Sequence, residues 1–270
     1  MTTTLTAPGK TFLLDKRRSR IKYFARLHAE SVASLQRIRN SIANASKDTL
    51  WISYEQTLTN ALLRSIDWPS PSLGVVVLLH RPDIETLPAL SDCFREVVFS
   101  LDGGFLPPEE LGEVLTAENK QDLFIGGTLD TENGTLTLWR GDLSSLTVPL
   151  DAFEPSGKAA RPDFNAFSIA DYGHTIKFGD YEAASDSLLY EFDPRYRRRK
   201  AKERLASERS FAASLRRLRK QRKLRREDFA PLSPKTIARI EQGKVKRVHP
   251  RTLATIARRL GVAPGEIKDF

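Results

Sequence analysis

The chain has 270 residues, 40% of them hydrophobic and 29% charged, with a formal net charge of +9. This is enough for two or three compact domains with real cores. No apolar run approaches the ~18 residues of a membrane span: the longest, Leu73 to Leu79, stops at His80-Arg81-Pro82. Cys93 is the single cysteine, which excludes an internal disulfide or a multi-cysteine zinc site. With an N-terminus that lacks the long apolar core of a secretory signal, this points to the cytoplasm and to no membrane association.

The charge is unevenly placed. Arg195 to Phe270 holds 25 Lys/Arg against 7 Asp/Glu, whereas Pro71 to Pro194 holds 7 against 22. A basic end joined to an acidic middle indicates a polyanionic partner for the basic end.

In chain order, residues 1–70 read as a helical N-terminal region. Ile21, Phe24, His28, Val32, Leu35, Ile38 and Ile42 recur at helical spacing, and a second helix is expected from about Ile52 to Ile66. Asp67-Trp68-Pro69-Ser70-Pro71-Ser72 is a breaker cluster and a candidate boundary. Residues 71–193 read as a small α+β module with mixed or antiparallel strands. Leu73 to Leu79 and Glu96 to Leu101 look like buried strands, and Pro107-Pro108-Glu109-Glu110 opens a helix that runs to about Ala117. Leu123 to Leu129 and Thr135 to Arg140 flank the hairpin signal Asn133-Gly134. Shorter strands fit Leu146 to Leu150, Phe167 to Ala170 and Thr175 to Phe178, and a helix begins at Ser185. The Arg-rich connector 194–209 follows, and 210–270 reads as a bundle of five short helical segments. Ser210, Ser233-Pro234 and His249-Pro250 start three of these; Gly243 and Gly261 end two. The fold class expected is therefore α+β with an all-α C-terminal bundle.

In that bundle, Leu215 to Arg219, Leu224 to Ala230, Leu232 to Gly243 and Arg251 to Val262 resemble the Xre-type (Cro and lambda-repressor-like) helix-turn-helix family. The most specific pieces are Ser233, Ile237, Ile240, Glu241 and Gly243, followed by Leu253-Ala254-Thr255-Ile256-Ala257-Arg258-Arg259-Leu260-Gly261-Val262. The chain departs from the family in two places. Arg225-Arg226 stands where a small polar residue and Gln are usual, and the turn Ala230-Pro231-Leu232 is shortened, so the second helix is expected to be only about one turn long.

The resemblance implies a recognition helix that enters the major groove by its N-terminal residues. Counted from Ser233 as cap, Lys235, Thr236 and Arg239 then face the bases, while Ile237 and Ile240 face inward. Ser233 and the helix start suit a phosphate. Arg225 and Arg226 lie where the helix dipole disfavours cations, so phosphate or base contact explains them better than stability. Lys244, Lys246 and Arg247 are placed to grip the backbone, and Glu241 to pair with an arginine of the first helix.

Residues 123–190 have a weaker similarity, through Leu136 to Phe153 and Tyr172 to Tyr190, to a small bacterial domain of unknown function often found with toxin–antitoxin-type genes. The expected partners are double-stranded DNA, a second copy of the chain, and a small protein partner for the front end. His28, His80, His174 and His249 lack metal-ligand spacing, Gly126-Gly127 lacks a phosphate-loop context, and no nucleophile motif surrounds any serine. The chain therefore reads as a non-enzymatic, cofactor-free transcriptional regulator, a repressor or autoregulator, with an antitoxin-like interaction protein as the alternative.

Overall fold

Five short strands dominate the first hundred residues: β1 (Lys10–Leu14), β2 (Glu30–Val32), β3 (Thr49–Ser53), β4 (Val75–Leu78) and β5 (Glu96–Phe99). They pair in parallel throughout, in the order β2-β1-β3-β4-β5. The computed structural model describes residues 9–67, 72–101, 104–153, 160–207, 210–245 and 247–269. It divides the chain into two units, Met1–Pro194 and Arg195–Phe270. The class is α+β, ending in helices alone.

A parallel sheet is stable when helices cover both faces, and its strands then read as continuous apolar runs. Phe12, Leu14, Trp51, Val76 and Leu78 form one core with Ile38, Leu58, Leu62 and Leu90. Those last four are carried by α1 (Leu35–Ala43), α2 (Gln56–Leu63) and α3 (Leu87–Cys93). The intervening Leu13, Leu50, Ile52, Val75 and Val77 are equally buried, and the two-residue strand period turns them to the opposite face. There Leu50 shares a small cavity with Leu27 and Leu115. These two belong to the 3-10 segment Arg18–Leu27 and to α4 (Pro108–Thr116), which pack on each other.

This sheet corrects the reading of residues 1–70 as a helical region. The periodic run Ile21 to Ile42 is not one helix. The 3-10 segment ends where His28 turns left-handed at φ 50°, Val32 lies in β2, and α1 restarts only after Ser34, whose hydroxyl accepts from the Arg37 N–H at 3.4 Å. Likewise, the expected helix Ile52 to Ile66 begins later, at Gln56, because Trp51, Ile52 and Ser53 are fully buried in the sheet. Tertiary pairing outweighed local periodicity in both places. The residues on either side of the breaker cluster pair as β3 and β4, so one sheet runs through position 70. Trp68 to Pro71 of that cluster lie outside the described residues.

Two three-stranded antiparallel sheets follow. β6 (Phe124–Asp130), β7 (Thr135–Arg140) and β8 (Ser145–Pro149) form one; β9 (Phe167–Ala170), β10 (Thr175–Phe178) and β11 (Tyr181–Ala184) form the other. Gly134 takes a positive φ of 64° in the turn between β6 and β7, where glycine relieves the strain. The Trp139 indole N–H and the Thr128 hydroxyl both donate to the Phe99 carbonyl, at 2.8 and 2.9 Å, so the end of β5 is tied to the next sheet. The helix α5 (Ser185–Phe192) closes this unit, where Arg140 pairs with Asp193 at 2.9 Å. Cys93 is a buried thiol, and burial raises its pKa.

The second unit contains α6 (Pro194–Ser207) from its second residue, α7 (Phe211–Gln221), a 3-10 turn Arg226–Phe229, α8 (Pro234–Glu241), α9 (Pro250–Leu260) and a last 3-10 turn, Glu266–Asp269. Leu215, Leu218, Phe229, Ile237, Ile240, Ile256, Ala257, Leu260 and Ile267 meet in a single core.

Candidate nucleic-acid interface

The site is organised around α8, and its start is set by Ser233. That hydroxyl accepts from the Thr236 N–H at 3.1 Å and lies 2.9 Å from the Thr236 hydroxyl, with Pro234 in the first turn. A serine cap followed by proline suits a helix start because it fills one orphan N–H and removes another. The other end is closed by Gly243 at φ 68°. Its N–H donates to the Ile240 carbonyl at 2.9 Å, and the Lys244 N–H donates to the Arg239 carbonyl at 3.0 Å. This pair of bonds is a Schellman motif, which terminates the helix after Glu241.

Between these ends the helix is two-sided. Ile237 and Ile240 are buried, while Lys235 and Arg239 are exposed and Thr236 half-exposed. Lys244 and Arg247, beyond the helix, are exposed as well, so two exposed cations follow the two on the helix. Lys246 lies outside the described residues.

Two contacts fix α8 against its neighbours. The first is a carboxylate: Glu241, whose side chain is only 1% exposed, receives the Arg219 guanidinium of α7 at 2.6 and 3.3 Å and that of Arg226 at 2.9 Å. Arg219 also donates to the Leu224 carbonyl at 3.0 Å. A buried carboxylate costs several kcal/mol unless its oxygens are paired, and here two guanidiniums pair them. The second is a carbonyl: Arg259 of α9 donates twice to the Ala230 oxygen, at 2.8 and 3.2 Å. That oxygen belongs to the short turn between the 3-10 segment and α8, so α9 holds the turn that aims the helix.

Residues 210–270 match the family profile of a helix-turn-helix domain. No curated protein and no solved structure matches the chain. A DNA-binding role goes with the helix-turn-helix domain, and its second helix is the 3-10 turn Arg226–Phe229, a single turn.

Measured against the helix-turn-helix domain, the structure brings together Ser233, Lys235, Thr236 and Arg239 on one helix, with Lys244 and Arg247 just past it. Arg225 is exposed at the start of the 3-10 turn, its N–H donating to Asp228 at 2.6 Å. Arg226 is different. It is engaged with Glu241 inside the domain, and its side chain is 41% exposed, so structural pairing accounts for part of its presence. The cap also occupies the Ser233 hydroxyl and the Thr236 N–H, and Pro234 has no N–H. Less of the helix start is therefore open to a phosphate than the residue types imply. Arg259 is a positioning residue that sequence reading missed, because Arg258-Arg259 in a last helical turn looks like an ordinary complement to the helix dipole.

Proposed function

We propose that the protein is an Xre-type, sequence-specific regulator of transcription that reads duplex DNA with α8 and acts as a repressor or autoregulator in the cytoplasm. The observation that carries this is the two-sided α8: Ile237 and Ile240 anchor it in the core while Lys235, Thr236 and Arg239 stay accessible. Lys and Arg match the guanine acceptors of the major groove, and Thr offers a hydroxyl or a methyl. Arg225, Lys244, Lys246 and Arg247 supply phosphate contacts around it, with Ser233 at the helix start. Residues 210–270 form the DNA-binding domain and 194–209 the connector. A homodimer fits this role, since one helix-turn-helix covers little DNA and two-fold symmetry matches palindromic half-sites. The unit 1–194 would carry the dimer contacts or bind a small protein partner.

Salt dependence tests the electrostatic part. With about five phosphates neutralised, the log–log slope of duplex affinity against salt is expected near −4.5. A slope near zero, or equal affinity for single-stranded RNA, would overturn the reading.

A further inference from the structure

Helix α6 is densely cationic. Among its 14 residues are Arg195, Arg197, Arg198, Arg199, Lys200, Lys202 and Arg204, against the single acid Glu203. Like charges at i,i+3 and i,i+4 spacing destabilise an isolated helix by roughly 0.2–0.5 kcal/mol per pair. Arg197–Lys200 and Arg198–Lys202 are such pairs. Glu203 lies 3.8 Å from Arg199 and 3.7 Å from Lys200.

The cations are also arranged. Arg197, Lys200 and Arg204 recur at i, i+3 and i+7, and Arg195, Arg198 and Lys202 repeat that spacing one row over. Ala201, a small residue, falls between the two rows. Glu203 and Tyr196, themselves seven apart, fall on the far side, and Tyr196 is buried. Arg197, Arg198, Lys200 and Lys202 are exposed. Glu203 and Tyr196 thus sit beside Arg199 and Lys200, and Arg197, Arg198 and Lys202 are the exposed cations farther round the helix.

We infer that α6 is a second DNA-binding element, with its two basic rows gripping the sugar–phosphate backbone of the same duplex that α8 reads. Its 14 residues span about 21 Å, which matches roughly six base pairs of duplex. Two rows flanking a small residue suit a helix whose cations reach phosphates on both sides of it. Contacts of this kind add affinity and salt dependence without adding sequence preference.

This inference rests on the DNA-binding reading, and its test separates the two. The full chain and the variant R197Q/R198Q/K200Q/K202Q are compared on one selected duplex across a salt series, with helical content checked by circular dichroism. The slope of the variant is expected to be shallower by about 0.9 for each phosphate no longer neutralised, roughly 2 to 3 in all, with an unchanged consensus. An unchanged slope, or a changed consensus, overturns the role of α6 while leaving that of α8 intact. Failure of the unsubstituted chain to bind any duplex would instead overturn the DNA-binding reading itself.

Discussion

The Nε of Arg226 lies 2.9 Å from Oε2 of Glu241, so the first residue of the 3-10 turn is clamped to the last residue of α8. Its neighbour Arg225 is exposed and is tied to Asp228 through its backbone, the N–H donating to the carboxylate and the carbonyl accepting from the Asp228 N–H. Two adjacent arginines therefore separate by role. Arg226→Ala is expected to lower the stability of the domain by about 1 kcal/mol, a value kept small by the partial exposure of Arg226 and by the second partner, Arg219, left on Glu241. Arg225→Ala should change stability by less than about 0.5 kcal/mol and lower DNA affinity alone. Denaturant titration of both variants, alongside a duplex-binding assay, distinguishes them.

Arg259 is expected to affect DNA binding through the turn it holds rather than by direct contact. Its guanidinium holds the Ala230 carbonyl, and with it the turn before α8. Arg259→Ala should cost about 1 kcal/mol of stability and weaken specific binding, while the salt slope stays unchanged because the same phosphates are neutralised. A slope shallower by about 0.9 would instead mark Arg259 as a phosphate ligand.

Gly243 is constrained by backbone conformation rather than space. A Cβ there would meet nothing within 4 Å, yet φ is 68°. Gly243→Ala should therefore cost about 1–2 kcal/mol through left-handed strain alone, and Gly243→Asn less, since Asn tolerates that region. Thermal or denaturant unfolding of the pair checks the order.

His80 makes the first unit sensitive to acid. Its Nε2 lies 3.0 Å from the Thr59 hydroxyl, and its Nδ1 lies 3.1 Å from the Arg81 carbonyl, an arrangement that a neutral ring satisfies with Nδ1 as donor. Burial lowers its pKa below the ordinary value, against an opposing bond to the Arg81 carbonyl. The unfolded chain therefore binds a proton first. The contribution of His80 is fully present above about pH 6.5 and is lost as pH falls from there through the folded pKa. Unfolding midpoints between pH 7.5 and 5 should decline, and His80→Asn should flatten that decline.

Much of the C-terminal domain was legible in the sequence because its signals are local. Ser210 and Ser233 cap helices as their residue types foretell, His249-Pro250 starts a third, and Gly243 and Gly261 close two of them with left-handed φ. Strands β9 and β10 were equally readable from alternation. The N-terminal sheet was not. Lys10 to Leu14 looks like a short apolar patch, and it becomes a central strand only when β2 and β3, distant in sequence, pair on either side of it. Helical periodicity through His28 and Val32 was coincidental, since parallel pairing depends on partners no local window contains. In the site, the residue types at Arg225 and Arg226 are identical, and only the fold shows that one of them is held by Glu241.

The most direct test of the central claim is selection of bound fragments from random duplex DNA by the intact protein and by Lys235→Ala and Arg239→Ala. The account predicts a defined consensus for the intact protein, with discrimination lost at particular base positions in each variant, by about 1–3 kcal/mol per position. The same consensus from all three proteins would contradict it, because α8 would then not be the element that reads the bases.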